Sequence, residues 1–196
     1  MRLLFKLEKY GISGQLLKWI TAWLRDRKQR VCLEGVASDW VMVISGVPQG
    51  SVLGPLLFLI YINDLEDGIS SLILKFADDT KMFRKISNAA DSYILQEDLD
   101  TLVQWSKKWQ MTFNVEKCKV MHIGKQKELR ANYFMHGYEL QECHEEKDLG
   151  VLISSDLKVG SQCNQAFLKA NRMLGVLKRT VAYKSPDIML TFTRHS

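Results

Sequence analysis

Two adjacent aspartates, Asp78 and Asp79, are the residues of this sequence whose type and spacing best suit a metal ion. They stand between two short runs with strand character, 72–76 and 80–83. Neighbouring side chains in a strand point to opposite faces, whereas at the tip of a tight hairpin two carboxylates can converge. Such a pair suits Mg²⁺, which takes one or two carboxylates and keeps positions for water and phosphate oxygens. An ordinary hairpin turn is the alternative, since Asp is a favoured turn residue.

A glycine-rich loop precedes this hairpin, and its backbone could approach a ligand closely. It reads Ser45-Gly46-Val47-Pro48-Gln49-Gly50-Ser51-Val52-Leu53-Gly54-Pro55. Its glycines are four residues apart, and glycine lets a chain turn and pass near a bound group. Gly54 and Pro55 predict the cap and first residue of a helix from Leu56 to about Leu65, buried all round because it is almost wholly apolar. A strand-to-helix turn without a ligand fits the same loop.

The elements that must position these residues follow from hydrophobic spacing and turn signals. A helix is predicted around Leu3–Leu7, broken at Gly11, and a second follows with Ser13 as its cap. Further helices are predicted from near Asp91 to Trp109 and over Ser161–Tyr183. The predicted strands are Arg30–Leu33, Trp40–Ile44, Phe113–Val115, Cys118–Ile123 and Leu149–Ile153, with a hairpin of Tyr133–Met135 and Tyr138–Leu140 turning at His136-Gly137.

The last long helix carries charges of one sign. Its cations are Lys169, Arg172, Lys178 and Arg179, and no Asp or Glu lies between Asp156 and Asp187. Such a face is either solvated or a contact for phosphates. We favour phosphate contact, because the neighbouring features also point to nucleic acid.

Composition bounds the class of protein. With 196 residues, 46% apolar and 25% charged, the chain predicts one globular domain, or one and a fraction, rather than disorder. The net charge of +5 permits a nucleic-acid partner. Four scattered cysteines without a CxxC spacing argue against a zinc ribbon or disulfide framework. The charged start and the short apolar runs predict no signal peptide and no membrane span, hence an intracellular protein of the nucleus or cytoplasm.

Taken together, these blocks resemble the reverse transcriptase of non-LTR retrotransposons of the jockey and chicken-repeat kind. The motifs that carry the resemblance are the loop from Ser45 to Pro55, Tyr61-Ile62-Asn63-Asp64-Leu65 and Phe76-Ala77-Asp78-Asp79-Thr80. Trp105, Trp109, Asn114–Cys118 and Lys147-Asp148-Leu149-Gly150 extend it.

The resemblance implies an α+β fold, an incomplete right-hand polymerase palm over residues 1–155 with part of a thumb over 156–196. It implies an RNA template, a DNA primer and deoxynucleoside triphosphates as partners, and two Mg²⁺ or Mn²⁺ ions as cofactors. Asp78 and Asp79 would hold these ions, with Asp78 the more important ligand, and Lys117 would donate a proton to the departing pyrophosphate.

The remaining site residues follow from the same resemblance. Nucleotide and template would lie against Ser45, Gly46, Pro48, Gln49, Gly50, Phe76 and Ala77. The primer grip would contain Leu149 and Gly150, and the nucleic-acid backbone would meet Lys169, Arg172, Lys178 and Arg179.

The chain departs from the family pattern at one important position. The family's other catalytic Asp lies on a strand just upstream of the segment that resembles residues 1–14, so this sequence does not contain it. We therefore expect a polymerase by ancestry that is inactive as this chain. The alternative is a non-catalytic nucleic-acid-binding remnant that uses the basic helix.

Overall fold

The structure is a computed structural model that describes residues 2–124 and 127–180. Its helices are Arg2–Lys9 (α1), Gly14–Leu24 (α2), Leu53–Ile62 (α3), Ala89–Trp109 (α4) and Gly160–Thr180 (α5), with 3₁₀ turns at Val115–Lys117 and Lys127–Leu129. Its strands are Lys28–Gln29 (β1), Cys32–Leu33 (β2), Val36–Ala37 (β3), Val41–Met42 (β4), Leu72–Phe76 (β5), Asp79–Phe83 (β6), Lys119–Val120 (β7), Phe134–Met135 (β8), Tyr138–Glu139 (β9), Gln141–Glu142 (β10), Glu145–Asp148 (β11) and Val151–Ser154 (β12). The mixture of helices and strands agrees with the expected α+β class.

The chain divides into two compact units. Among the described residues, the first covers 2–115 and 134–138, and the second covers 116–124, 127–133 and 139–180. The predicted boundary between a palm and a thumb segment at 155/156 stays a prediction. The strands of the described residues pair two by two, and only β7 and β10 run parallel.

One hydrophobic core cluster of the first unit lies among its first three helices. Leu7 of α1, Ile20 of α2 and Leu57 of α3 are buried together, because the apolar stripe of each helix needs a partner surface. Val47, from the glycine-rich loop, packs against this cluster. The loop is therefore tied to the core through one apolar side chain.

A buried cation forms a second centre in this unit. Lys6 of α1 is 1% exposed, and its Nζ lies 2.5 Å from Asp64 Oδ1. The same nitrogen lies 3.9 Å from the ring centre of Trp109 and 4.7 Å from that of Trp105, and Trp105 Nε1 donates to Asp64 at 2.9 Å. This cluster joins α1, the residues just after α3, and α4.

Helix α3 differs from the prediction in its start and in its burial. It begins at Leu53 rather than near Leu56, so Pro55 is its third residue and Gly54 is not its cap. The Ser51 hydroxyl accepts a hydrogen bond from the Gly54 amide at 3.0 Å and so fills the capping role. Leu56 and Leu59 are about half exposed, at 51% and 50%, so the expectation of burial all round was wrong.

The other early elements were predicted in part. α1 ends before Gly11 as expected, and Ser13 precedes α2, but its side chain makes no capping hydrogen bond. In place of two strands, four two-residue strands pair as β1 with β4 and β2 with β3.

Helix α4 confirms the long amphipathic helix and shows how it begins. The Asn88 side chain accepts from the Asp91 amide while Asp91 accepts from the Asn88 amide, which is a capping box. Trp105 and Trp109 are buried. Gln96 exchanges two hydrogen bonds with the backbone of Phe134 and docks β8 on the helix.

The second unit is built from small strand pairs and α5. The hairpin of β11 and β12 turns at Leu149-Gly150, both with positive φ, so these residues form a turn rather than the start of a strand. Residues 113–115 are not a strand, and of the extended segment 118–123 only β7 is one. α5 begins at Gly160, and its predicted end at Tyr183 lies outside the described residues.

None of the helices within residues 2–124 and 127–180 has the length and apolar character needed to cross a membrane.

Candidate metal-binding hairpin and its surroundings

The two aspartates lie at the tip of an antiparallel hairpin, as the sequence predicts. β5 and β6 pair from Leu72 with Phe83 up to Phe76 with Asp79, so only Ala77 and Asp78 remain for the turn. Asp79 opens the returning strand. Both carboxylates are exposed, and the hairpin therefore presents two adjacent anionic groups to solvent.

The turn holds a residue in an unusual backbone conformation. Ala77 has a φ of +50°, in the left-handed region that favours glycine, while the φ of Asp78 is not positive. A positive φ at the first central residue alone is the sign pattern of a type II′ hairpin turn. For alanine this region costs about 1–2 kcal/mol. The ladder on both sides keeps the turn in this form.

One lysine ties the hairpin to the residues after α3. Lys75 lies one ladder position below Phe76 and is partly buried. Its Nζ donates to the Asn63 carbonyl at 3.2 Å and lies 3.5 Å from Glu66 Oε2. Phe76 itself is 62% exposed and offers an apolar ring beside the aspartates.

The donor set fits a hard divalent cation only in part. Two exposed carboxylates match the oxygen ligands that Mg²⁺ takes when water and phosphates supply the rest. Within the part of the chain that the structure describes, no three His, Cys, Asp or Glu side chains are grouped so that they could hold a metal ion. Asp78 and Asp79 could thus contribute two ligands, and a fuller site needs donors from elsewhere.

The glycine-rich loop is shaped by its own contacts. Gly46 and Gly50 both have a φ of +77°, which only glycine adopts without strain. The Gly46 carbonyl accepts from Arg27 Nη2 at 2.5 Å, and the Ser51 hydroxyl donates to the Pro48 carbonyl at 2.8 Å. Ser45, Gln49 and Gly50 are exposed, while Pro48 is partly covered. The loop is therefore an ordered surface on which exposed groups could meet a ligand.

The other residues implied by the resemblance lie in the second unit. Lys117 ends a 3₁₀ turn and is exposed. Leu149 and Gly150 form the turn between β11 and β12. Lys169, Arg172, Lys178 and Arg179 are exposed on α5. Their roles stay predictions.

Sequence reasoning missed Asp98. This side chain on α4 is 4% exposed and accepts hydrogen bonds from the Ser70 and Ser71 amides, immediately before β5. A signal was present, because Asp98 falls within the apolar stripe formed by Leu95, Leu99 and Leu102. An acid on a buried face needs partners, and here those partners lie at the base of the hairpin that carries Asp78 and Asp79.

Comparison with known proteins now decides the family. Residues 2–158 match the family described as reverse transcriptase (RNA-dependent DNA polymerase). This chain belongs to the reverse transcriptase family. The matched region takes in the loop, the hairpin with Asp78 and Asp79, and α4.

Individual relatives narrow the kind of reverse transcriptase. The chain is 33% identical over 166 residues to the RNA-directed DNA polymerase from mobile element jockey of Drosophila funebris, covering 79% of this chain and 18% of that protein. The jockey protein of Drosophila melanogaster is 34% identical over 125 residues, covering 59% of this chain and 14% of its own length. A probable RNA-directed DNA polymerase from transposon BS of Drosophila melanogaster is 33% identical over 124 residues, covering 58% of this chain and 13% of that protein.

The reverse transcriptase domain described here is therefore of the non-LTR retrotransposon kind. It spans less than a fifth of the length of these curated relatives.

Proposed function

We propose that this chain is a palm segment of a retrotransposon reverse transcriptase, in which Asp78 and Asp79 bind the divalent ions used to add nucleotides to a primer. The observation that carries the proposal is the exposed aspartate pair at a two-residue hairpin tip, inside the region that matches the family. Adjacent carboxylates are otherwise kept apart by the alternation of a strand.

Ions held by Asp78 and Asp79 would supply the positive charge that activates the primer 3′-hydroxyl and stabilises the leaving pyrophosphate. The chain's own groups would hold and orient the reactants. The Asp78 and Asp79 carboxylates supply negative charge to the ions, and Lys75 secures the strand beneath them. The ordered loop of Pro48, Gln49 and Gly50 would form the floor under the templating base and incoming nucleotide, with Ser45 and Gly46 beside it. Phe76 and Ala77 would lie near the primer end.

Three further roles belong to the same proposal. Lys117 would protonate the departing pyrophosphate. Leu149 and Gly150 would contact the primer, for which their exposed turn is suited. The cations of α5 would contact phosphates of the template–primer duplex.

We also propose that the aspartate pair does not suffice for catalysis in this chain alone. Two-metal sites need ligands that both ions share, so the absence of a shared carboxylate should lower both metal affinity and rate. Among the described residues, no third His, Cys, Asp or Glu side chain is grouped with Asp78 and Asp79 so that it could share a metal ion.

Mn²⁺ titration followed by electron paramagnetic resonance tests the metal role. We expect Asp78→Asn to abolish the bound-ion signal and Asp79→Asn to weaken it, because each removes an anionic ligand. Asp67→Asn is the matched control, since Asp67 is an exposed aspartate that does not belong to the hairpin. If Mn²⁺ binds equally strongly to the Asp78→Asn and Asp67→Asn variants, the metal assignment is wrong.

Primer extension on an RNA template with a DNA primer tests the proposal that the aspartate pair does not suffice for catalysis in this chain. With either Mg²⁺ or Mn²⁺ we expect no product from this chain. A product that disappears in Asp78→Asn would show that the chain is catalytically complete and would overturn the proposed insufficiency, while leaving the metal role intact.

A nucleic-acid-binding role without catalysis is the second candidate, and the exposed face of α5 favours it. At about 100° per residue, Lys169, Arg172 and Arg179 fall within about 80° of one another, whereas Lys178 falls about 100° from Arg179. The helix contains no acidic residue. Three cations on one side of an exposed helix suit a row of phosphates.

Salt titration of binding to an RNA–DNA primer–template tests the phosphate contacts of α5, and the Mn²⁺ titration above separates the two candidates, because only the first requires a metal site at Asp78. Arg172→Ala and Arg179→Ala should each reduce the slope of log affinity against log salt by about 1, and Lys178→Ala should change it less. Asp78→Asn should leave the slope unchanged. An affinity that does not depend on salt would eliminate phosphate binding by α5.

A further inference from the structure

Asp98 is a buried carboxylate that the proposed chemistry does not use. It lies on α4, 4% exposed, and its oxygens accept from the Ser70 amide at 3.0 Å and the Ser71 amide at 2.8 Å. The Ser70 hydroxyl donates to it as well, at 3.1 Å. A buried carboxylate is costly unless it is hydrogen-bonded, and charge-assisted bonds of this kind are the strong ones.

Its partners stand at the base of the β5–β6 hairpin. Ser70 and Ser71 come immediately before β5, and Arg84 comes immediately after β6. Arg84 Nη1 donates to the Ser70 hydroxyl at 3.0 Å, and Arg84 Nε lies 3.8 Å from Asp91 near the start of α4. Both ends of the hairpin are therefore fastened to one helix, with Asp98 bonded to the backbone of the outgoing end.

The remainder of the hairpin makes few contacts that could hold it in place, so its attachment to α4 is important. Among the described residues, β5 and β6 pair only with each other, and neither strand buries a side chain fully. A two-stranded hairpin is marginal by itself, so its place is set by what holds it. Five residues at about 3.3 Å each put the aspartates roughly 17 Å from the base, with Lys75 as a second support near the tip.

We infer that Asp98 is a positioning residue for the metal-binding hairpin: by fixing the Ser70 and Ser71 amides on α4, it sets where Asp78 and Asp79 are held. This inference rests on the proposed metal role of those two aspartates. Asp98 itself touches neither metal nor substrate. Its effect passes through the backbone of β5.

Asp98→Asn tests the inference while keeping the side-chain shape. Asn has one acceptor oxygen and an NH₂ group, so one backbone amide would face a donor rather than an acceptor. We expect Mn²⁺ affinity at the Asp78-dependent site to fall roughly tenfold, as for other residues that orient ligands. Amide hydrogen exchange of residues 72–83 should quicken by a similar factor, because the base opens more often.

Two variants separate positioning from general destabilisation. Leu102→Ala removes buried apolar volume from the same helix without touching the carboxylate. It should lower the stability of the whole unit yet leave Mn²⁺ affinity of the folded protein unchanged. Asp98→Glu, which keeps the charge, should recover part of the affinity that Asp98→Asn loses.

The outcomes decide the inference and the proposed function separately. If Asp98→Asn changes hairpin exchange and Mn²⁺ affinity no more than Leu102→Ala does, Asp98 is only a stabilising residue and the inference is wrong. If the unmodified chain shows no Mn²⁺ binding that depends on Asp78, the proposed metal role fails. In that case amide hydrogen exchange still tests whether Asp98 fixes the base of the hairpin on α4. Unchanged exchange of residues 72–83 in Asp98→Asn would refute this, and faster exchange confined to those residues would support it.

Discussion

Lys6 is a charged side chain in the interior of the first unit, where its charge is balanced by several groups at once. Asp64 supplies an opposite charge at 2.5 Å, and the faces of Trp109, Trp105 and Tyr61 lie within 4.8 Å of the ammonium. Burial is the largest influence on this group and lowers the pKa of Lys6, while the hydrogen bond that Lys6 donates to Asp64 works in the other direction. In sequence Lys6 is one of several charges in α1, and nothing about its type marks it as buried.

Substituting one partner of this pair should be worse than substituting both. Lys6→Met leaves the Asp64 carboxylate partly buried with Trp105 as its remaining donor, and we expect a loss of about 3 kcal/mol in the free energy of unfolding. Lys6→Met with Asp64→Leu removes the unpaired charge, so the double variant should be more stable than Lys6→Met alone. Urea unfolding of the three proteins measures this, and additive losses would contradict it.

At the scale of elements, the glycine-rich loop and α3 show how backbone contacts shape a candidate binding surface. Gly54 is the second residue of α3, and a Cβ atom there would lie 2.7 Å from the Pro48 carbonyl oxygen. Real Cβ atoms do not approach backbone oxygens so closely, so the loop can fold back over the helix only because position 54 is glycine. The third glycine of the motif thus serves the loop's packing rather than a ligand.

Gly54→Ala should therefore destabilise the protein, although replacing Gly by Ala within a helix is usually stabilising. We expect a loss of about 1–3 kcal/mol, because the backbone of Pro48 must shift. Gly175→Ala is the matched control within α5: nothing lies within 4 Å of its added Cβ, and it should gain about 0.5–1 kcal/mol. Thermal and urea unfolding of both variants decide the matter, and a stabilising Gly54→Ala would show that the close contact is not real.

The elements that sequence reasoning predicted are those with local signals. The Asp78 hairpin and the His136-Gly137 hairpin form as expected, because turn residues flanked by strand formers specify such pairs over a few residues. The start of α3 was misplaced, because Pro55 fits the third helical position as well as the first and Ser51 supplied the cap.

The features that the sequence did not predict are contacts between residues far apart along the chain. Lys6 meets Asp64 across 58 positions, and Asp98 meets Ser70 across 28, and neither contact has a local pattern. The placement of Asp78 and Asp79 at a turn was thus accessible from sequence, whereas the groups that hold that turn in place were not.

At the scale of the whole molecule, the response to acid depends on which carboxylates folding has made more acidic. Burial opposes ionisation of Asp98 most strongly, but the donors from Ser71 and Ser70 together outweigh it, and the pKa of Asp98 lies below its ordinary value of 3.8. The Arg84 guanidinium is linked to Asp98 through the Ser70 hydroxyl. On the surface, the hydrogen bond from Lys119 likewise lowers the pKa of Glu146.

The sign of the pH dependence follows from this shift. Between its folded-state pKa and 3.8, Asp98 binds more protons in the unfolded chain than in the folded one, so its stabilising contribution is complete above pH 3.8 and is lost as the pH falls through the folded-state pKa. Urea unfolding from pH 7 to pH 2.5 should show a loss of stability at the acid end that is smaller in Asp98→Asn. Glu146→Gln should reduce that loss less, because exposed ion pairs contribute little. Acid profiles of the parent chain and Asp98→Asn that run parallel would show that Asp98 does not govern the acid response.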